Sequence, residues 1–571
     1  IGPLFESVGH GYETTDYKKL DSRLGTNEDL AAFVEECHKQ GVRVILDGVF
    51  NHTGRDFFAF TDIKRNREQS AYKDWYCNVN FYGNNEYNDG FSYENWGGYN
   101  LLIKLNQHNP AVRDYICDVI RFWAREFHID GIRLDAADVL DFEYMKALRR
   151  TAGEIGPDFW LMGEVIHGDY TRWVNEGTLH SVTNYHLHKA LYSGHNDHNY
   201  FEIAHTVKRL YGMGGNRPEG LKLYNFVDNH DVERIYTKLT CKEHYTPVHI
   251  LLYTLPGIPS IYYGSEFGIE GAKERFSDDS LRPALTLSDY ADAVEKNPCT
   301  RLVAALGKIR QGTKALSYGD YAELVLTNRQ FAFSRNLDGE SVIVAVNNDD
   351  NEAQLSLPAG GAAAYTDALS GETVSVQDGR IQIRVRGNSG GIWRPAMEGE
   401  KTEGFLQTKE RSGTANRACN QQEDKEGAGK KENQISNLSQ RQARAEGPEK
   451  VFEAIQTGER SEDAGKDQEI PGNGTQSAVE GRQKLESKTD SHAGLNNTNL
   501  AKEIQNGSKL SLAEADGTEK ADKTEAPIKK DTAANAPKTY EEMSVAQLQE
   551  AILEKMQKNG PVTERMHREV M

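Results

Sequence analysis

From residue 1 to about 314, short β-branched runs alternate with stretches whose apolar residues recur at helical spacing. That alternation is the layout of a parallel sheet covered by helices. The run Val42-Arg-Val-Ile-Leu-Asp47 follows a helical stretch closed by Gly41 and predicts a buried strand. Gly131-Ile-Arg-Leu-Asp135 follows a helix that starts near Pro110 and carries Val119, Ile120, Phe122, Trp123 and Phe127. Phe159-Trp-Leu-Met-Gly-Glu164, Leu223-Tyr-Asn-Phe-Val-Asp228 and Ile258-Pro-Ser-Ile-Tyr-Tyr-Gly264 repeat the unit. Each strand ends in a polar residue that runs into loop. In a (β/α)8 barrel the chemistry sits at those carboxyl ends, so the pattern predicts an α/β fold of TIM-barrel type.

Between Phe50 and Gly131 there is far more chain than one crossover helix needs. The stretch from about 54 to 108, rich in Tyr, Asn, Gly and Trp, reads as a small subdomain inserted over the barrel mouth. From 315 to 396 the period changes to short alternating strands, among them Tyr321–Leu326, Phe331–Phe333, Ser341–Val346 and Ile381–Val385, which predict a compact antiparallel β domain. Residues 397–538 carry no apolar period and read as a disordered linker. A short helical segment is expected within 539–571, where Ser544 and Gln547 form a capping box. Val545, Leu548, Ile552 and Met556 would make its apolar stripe, packed on the protein's own domain, and Asn559-Gly-Pro561 would stop it.

Composition sharpens this division. Apolar residues make up 37% of the 571, below the roughly 45% of a fully folded chain. The shortfall lies late: all six tryptophans stand at or before Trp393, and beyond it the aromatics are Phe405, Phe452 and Tyr540. The net charge of −19 offers no basic face, which argues against nucleic acid or an anionic membrane as partner. No run of about 18 apolar residues is present to span a bilayer. Cys37, Cys77, Cys117, Cys241, Cys299 and Cys419 are scattered without a CxxC pair and read as ordinary thiols. With no signal-peptide pattern at Ile1-Gly-Pro-Leu-Phe-Glu-Ser7, the expectation is a cytoplasmic protein, although the true start is expected to lie upstream.

Four strand-end segments carry the candidate chemistry: Asp47-Gly-Val-Phe-Asn-His52, Gly131-Ile-Arg-Leu-Asp135, Gly163-Glu164 and Phe226-Val-Asp-Asn-His-Asp231. Any one strand-end carboxylate is ordinarily a cap or a solvated charge. Together they bring carboxylates, an arginine and two histidines to one mouth. Converging carboxylates repel and shift each other's pKa values, so stability does not explain the set. Arg133 and Asp135 are two apart and face the same way on a strand, so Arg133 is expected to hold Asp135 ionised.

In this order the four segments resemble the four sequence regions of the α-amylase family, glycoside hydrolase family 13. His10-Gly-Tyr12, Leu102-Ile-Lys-Leu-Asn106 and Leu255-Pro-Gly-Ile-Pro-Ser-Ile-Tyr-Tyr-Gly264 resemble further marks of it, and the likeness covers roughly residues 1–395. The resemblance implies that Asp135 is the nucleophile, Glu164 the general acid/base, and Asp231, rather than Asp228, the transition-state stabiliser. It implies that His52 and His230 hydrogen-bond the same sugar, that Tyr12 stacks on its face, and that Asp47 supports Arg133. Arg282, in Ser277-Asp-Asp-Ser-Leu-Arg282, matches a further sugar-binding arginine. Among Trp75, Tyr76, Tyr82, Tyr87, Tyr93, Trp96 and Tyr99, most are expected in the core of the subdomain and one or two at the cleft.

The expected activity is retaining, endo-acting cleavage of α-1,4 bonds in starch, glycogen or maltodextrins, with the flavour of intracellular bacterial α-amylases. Cyclomaltodextrinases, neopullulanases and glucanotransferases share all three carboxylates and stay open as alternatives. A non-catalytic carbohydrate-binding protein on the same scaffold is disfavoured, since such relatives lose catalytic carboxylates. No cofactor is expected. Many family members hold a structural calcium, and Asn51 and Asn106 match two of its ligand positions; the usual histidine position is Val139, so calcium stays open and is not predicted. The resemblance also implies that a first strand, its helix and most of a second strand belong before Ile1, so that the barrel has an open seam here.

Overall fold

The computed structural model describes residues 1–214, 221–274, 277–396 and 404–406. The first long helix, Asn27–Lys39, shows how local rules set the strand that follows. Thr26 and Asp29 form a capping box at its start. At its end Gly41 takes φ +70°, its amide donates to His38 O at 2.9 Å, and Val42 N donates to Cys37 O at 2.9 Å. This is a Schellman closure, which needs a residue free to adopt a left-handed backbone. Val42 belongs to that closure and is 48% exposed, so the strand predicted from Val42 runs Ile45–Gly48 instead.

Ile45–Gly48, Gly131–Leu134, Trp160–Gly163 and Ser181–Val182 pair in parallel in that order. A bridge from Thr183 to Tyr224 carries the arc on to the parallel pair Tyr224–Asn225 and Ile258–Pro259. At the other side Asp47 N donates to Ile1 O at 3.0 Å, and the Ile1 amine donates to Ile45 O at 2.8 Å. These are the successive strands of a (β/α)8 barrel; among the described residues no pairing joins Ile258–Pro259 to Ile1. Ser181–Val182 escaped the sequence pattern because two residues show no period.

The helix predicted near Pro110 spans Pro110–Phe127, with Asn109 as its N-cap and Pro110 at its first position. Its buried stripe includes Val112, Ile116, Val119, Ile120, Trp123 and Phe127. Trp123 is the anchor: its ring stacks on Phe5 at 4.3 Å, and Nε1 donates to Tyr17 O at 2.6 Å. That hydrogen bond matters because a buried indole N–H left unpaired is costly.

Between the strands Ile45–Gly48 and Gly131–Leu134, Phe58–Asn66 forms a helix, and a small antiparallel sheet is ordered His52–Thr53, Tyr99–Lys104, Asn95–Trp96. Phe60 meets Tyr76 edge-on at 5.4 Å and Tyr93 at 5.0 Å, so these two tyrosines are core. Tyr82, Tyr87 and Tyr99 are exposed.

After the helices Pro298–Gln311 and Lys314–Tyr318 the chain turns antiparallel. The six-stranded sheet runs Asp320–Leu326, Gln330–Leu337, Glu340–Asn347, Ser389–Pro395, Ala364–Asp367, Thr373–Ser375, and Ala353–Pro358 pairs separately with Arg380–Val385. The start expected for this region at 315 is thus helical, with the first strand at Asp320. Buried Arg335 ties sheet to barrel by donating to Thr254 O at 2.6 Å, Leu316 O at 2.8 Å and Gly319 O at 2.9 Å, carbonyls at two helix ends.

Gly404–Leu406 falls inside the stretch read as disordered, yet Phe405 N donates to Ala368 O at 3.1 Å and Leu406 N to Leu369 O at 3.0 Å. Leu406 also packs on the core. The rest of 397–538, and the helix expected in 539–571, lie outside the described residues. Among the described residues no helix is long and apolar enough to cross a membrane, and Cys37, Cys77, Cys117 and Cys299 are free thiols.

Candidate active site

The strand Gly131–Leu134 projects Arg133 and the residue after its end, Asp135, to the same side, as period two requires. Arg133 then meets three acids from three strand ends. Its Nη1 donates to Asp47 Oδ1 at 2.8 Å and to Asp135 Oδ1 at 2.9 Å, and its Nη2 donates to Glu164 Oε2 at 2.6 Å. Only a planar guanidinium offers several donors in fixed directions to such a set. Glu164 Oε2 also accepts from Ala136 N at 3.2 Å. Ala136 sits at φ +46°, a left-handed conformation disfavoured for any residue with a Cβ.

Three carboxylates around one guanidinium, Asp47 and Asp135 buried and Glu164 partly so, leave surplus negative charge largely away from water. Asp135 is accordingly pushed well above the usual carboxylate range, chiefly by burial, with Glu164 and Asp47 adding and Arg133 opposing. Arg133 opposes that shift, as expected of an ion pair two residues apart, while the burial that raises Asp135 is not visible in the sequence. Arg133 itself loses to burial and gains more from Asp47, Glu164 and Asp135, so it stays charged.

The segment Phe226–Asp231 places its two acids differently. Asp228 is buried, accepts from Ser265 Oγ at 2.8 Å and from Ile235 N at 2.8 Å, and so caps the helix Ile235–Lys238. Asp231 turns to the mouth, where its Oδ1 lies 3.3 Å from Arg282 Nη2 and its Oδ2 3.2 Å from His230 Nε2. Burial raises Asp231, against Arg133, Arg282 and Lys273. His230 Nε2 is also 2.8 Å from Tyr12 Oη, and Tyr12 Oη donates to Asp47 Oδ2 at 3.3 Å. Burial first, then Arg133 and Arg282, bring His230 down to about 4, which makes it a neutral hydrogen-bonding ring at neutral pH. Arg282 also pairs with Asp278 at 3.1 Å and donates to His230 O at 3.3 Å.

The structure therefore brings Tyr12, Asp47, Arg133, Asp135, Glu164, His230, Asp231 and Arg282 into one connected network. His52 is the exception. It is 1% exposed, burial holds it near 4 against a backbone contact with Tyr12, and its Nε2 makes no side-chain hydrogen bond to these groups. Two members were missed from sequence. Tyr185 Oη donates to Glu164 Oε1 at 3.3 Å, and Asn229 Nδ2 donates to Tyr185 Oη at 3.0 Å. Tyr185 follows the strand too short to detect. Asn229 lay inside a quoted segment, but its chemistry is directed to a partner that the sequence does not place.

At the calcium positions Asn51 Oδ1 accepts from Gln107 Nε2 at 3.1 Å, Asn106 Oδ1 accepts from His108 N at 3.3 Å, and Val139 supplies no side-chain oxygen. Among the described residues no group of three or more His, Cys, Asp or Glu is placed to hold a metal ion.

The profile described as Alpha amylase, catalytic domain, matches residues 1–308. The chain is 30% identical over 357 residues to a cyclomaltodextrinase of a Bacillus species, covering 61% of this chain and 62% of that one. It is 30% identical over 403 residues to Neopullulanase 2 of Thermoactinomyces vulgaris, covering 68% and 66%. A solved cyclomaltodextrinase superposes with a TM-score of 0.61 at 27% identity, covering 68% of this chain and 67% of that one. The chain thus spans 62–66% of the length of those two curated relatives.

Proposed function

The chain belongs to the α-amylase family, and from that premise we propose that it is a retaining glycoside hydrolase that cleaves α-1,4-glucosidic bonds in maltodextrins and related α-glucans. One observation carries the reading: a single guanidinium, Arg133, holds Asp135 at 2.9 Å and Glu164 at 2.6 Å. A retaining glycosidase needs two carboxyls about 5–5.5 Å apart, and a shared guanidinium favours that short separation over the wider gap of inverting enzymes.

Asp135 attacks the anomeric carbon as Glu164 protonates the leaving oxygen, giving a covalent glycosyl-enzyme. Glu164 then takes a proton from the water that releases the sugar. The step requires Asp135 ionised to attack and Glu164 protonated to donate, with Arg133 beside both carboxyls. Asp231, flanked by His230 and Arg282, binds sugar hydroxyls and favours the distorted ring of the oxocarbenium-like transition state. Tyr12 lines the same sugar site, and Asp47 keeps Arg133 in place.

The named relatives favour the cyclomaltodextrinase and neopullulanase alternative over the α-amylase reading. A cytoplasmic location agrees with the free thiols of Cys37, Cys77, Cys117 and Cys299. The test is to incubate the protein with maltoheptaose and with a cyclic maltodextrin, following new reducing ends by proton NMR. Fresh α-anomer is expected, with the cyclic substrate opened at least as fast as the linear one. Initial β-anomer overturns double displacement. Binding without cleavage overturns the hydrolase reading in favour of a carbohydrate-binding scaffold, and a ladder of lengthened products makes the enzyme a transferase.

A further inference from the structure

We propose that Tyr185 is a positioning residue for the acid/base step: its hydroxyl, oriented by Asn229, supports the Glu164 oxygen that gives up the proton. This rests on the acid/base reading of Glu164 above. The direction of the hydroxyl follows from a chain of assignments. Asn229 Oδ1 accepts from Asp231 N at 2.8 Å and from Val232 N at 3.1 Å, which fixes its oxygen end. The amide nitrogen must then face Tyr185 Oη, 3.0 Å away, and it can only donate. Tyr185 has one proton, and with its oxygen accepting from Asn229 that proton points to Glu164 Oε1 at 3.3 Å. Burial, with Glu164 and Asp231 nearby, pushes the Tyr185 phenol well above its usual range, so the hydroxyl keeps its proton.

The other oxygen of Glu164 is closed to a proton. Oε2 accepts from Arg133 Nη2 at 2.6 Å and Ala136 N at 3.2 Å, and both partners are pure donors. The transferable proton therefore belongs on Oε1. As the bond between the anomeric carbon and the leaving oxygen breaks, its electron pair stays on that oxygen. Asp135 forms the new bond to carbon, and the Oε1 proton moves to the leaving oxygen. Charge appears on Oε1, and the Tyr185 hydroxyl donates to it as it appears. The hydrogen bond is stronger after transfer than before, which is the condition for lowering a barrier.

Such support matters only where the leaving group needs a proton. Tyr185→Phe is expected to lower kcat/KM on maltoheptaose by about ten- to a hundredfold, while 4-nitrophenyl α-maltoside, whose phenolate departs unaided, loses less than about threefold. Asn229→Asp keeps the acceptor for the Asp231 and Val232 amides, removes the donor to Tyr185 and draws the phenol proton away from Glu164. It is expected to give the same substrate-selective loss, and it serves where Tyr185→Phe folds poorly. Equal losses on both substrates, or none on maltoheptaose, overturn the proposal. Parent protein that releases neither sugar nor nitrophenolate overturns the hydrolase reading instead, so the two failures are distinct.

Discussion

The guanidinium of Arg133 and the carboxylate of Glu164 meet at 2.6 Å across two neighbouring strands, with Asp47 and Asp135 held by the same side chain. The pairing is non-local in sequence and nearly dry, so it decides both the charge state of the mouth and its shape. Arg133→Met leaves Asp47, Asp135 and Glu164 without their shared counter-charge and is expected to cost about 3–5 kcal/mol at pH 7. The loss should shrink at pH 5, because Asp135, raised by burial, takes up a proton more readily once Arg133 is gone. Urea titrations at both values check this, and an equal loss at each contradicts it.

Glu164→Gln keeps the size and most donors' partner while removing the proton. Hydrolysis of maltoheptaose is expected to fall by about a thousandfold or more, with maltotriose binding by calorimetry changed little. Binding lost while the rate is retained would remove Glu164 from the acid/base role.

The two acids of one segment should separate cleanly. Asp228→Asn weakens the capping of Ile235 and the Ser265 contact, so it is expected to lower stability by about 1–3 kcal/mol while a folded fraction keeps its rate. Asp231→Asn is expected to abolish turnover without lowering the unfolding midpoint, since burial already disfavours its charge. The reverse pattern would exchange their roles.

His195 is fully buried between Leu191 O at 2.6 Å and Tyr200 Oη at 3.2 Å, and burial lowers it to about 3. With the folded value below the unfolded one, its contribution is present above about pH 6.5 and is lost as pH falls from there toward 3. Buried acids such as Asp135 act in the opposite sense, so the quantity to read is a difference between proteins. Relative to parent, His195→Gln should gain about 2 kcal/mol between pH 7 and pH 5. A pH-independent difference, measured by urea unfolding, rules this out.

Gly131 opens the strand that carries Arg133, and a Cβ there would overlap the Trp160 carbonyl of the next strand. Gly131→Ala is expected to cost about 1–3 kcal/mol and to lower kcat more than KM, because it parts the strands bearing Asp135 and Glu164. Unchanged kcat with a lowered midpoint would confine the glycine to stability.

Much of the site was legible because its information is local. Period two puts Arg133 and Asp135 on one side, and the strand ends at Asp47 and Glu164 follow from where apolar runs stop. Val42 was misplaced because a helix closure at Gly41 used it first, a competition between two local rules that hydrophobicity alone does not resolve. Phe405 and Leu406 were missed because two apolar residues in a polar stretch have no period, although their backbone finds Ala368 and Leu369.

By itself the sequence determined the order of the longer strands and helices from residue type and spacing, and its short motifs carried the family resemblance that implied the candidate side chains. Tertiary structure alone decided the rest. It set Asp228 on Ser265 and Asp231 at the mouth, buried His52 without a side-chain hydrogen bond to the network, aimed Tyr185 at Glu164, and raised Asp135 by burial against its arginine. The physical reason is common to all four. Desolvation and hydrogen-bond direction depend on what surrounds a group in space, and those neighbours arrive from strands and helices tens of residues away.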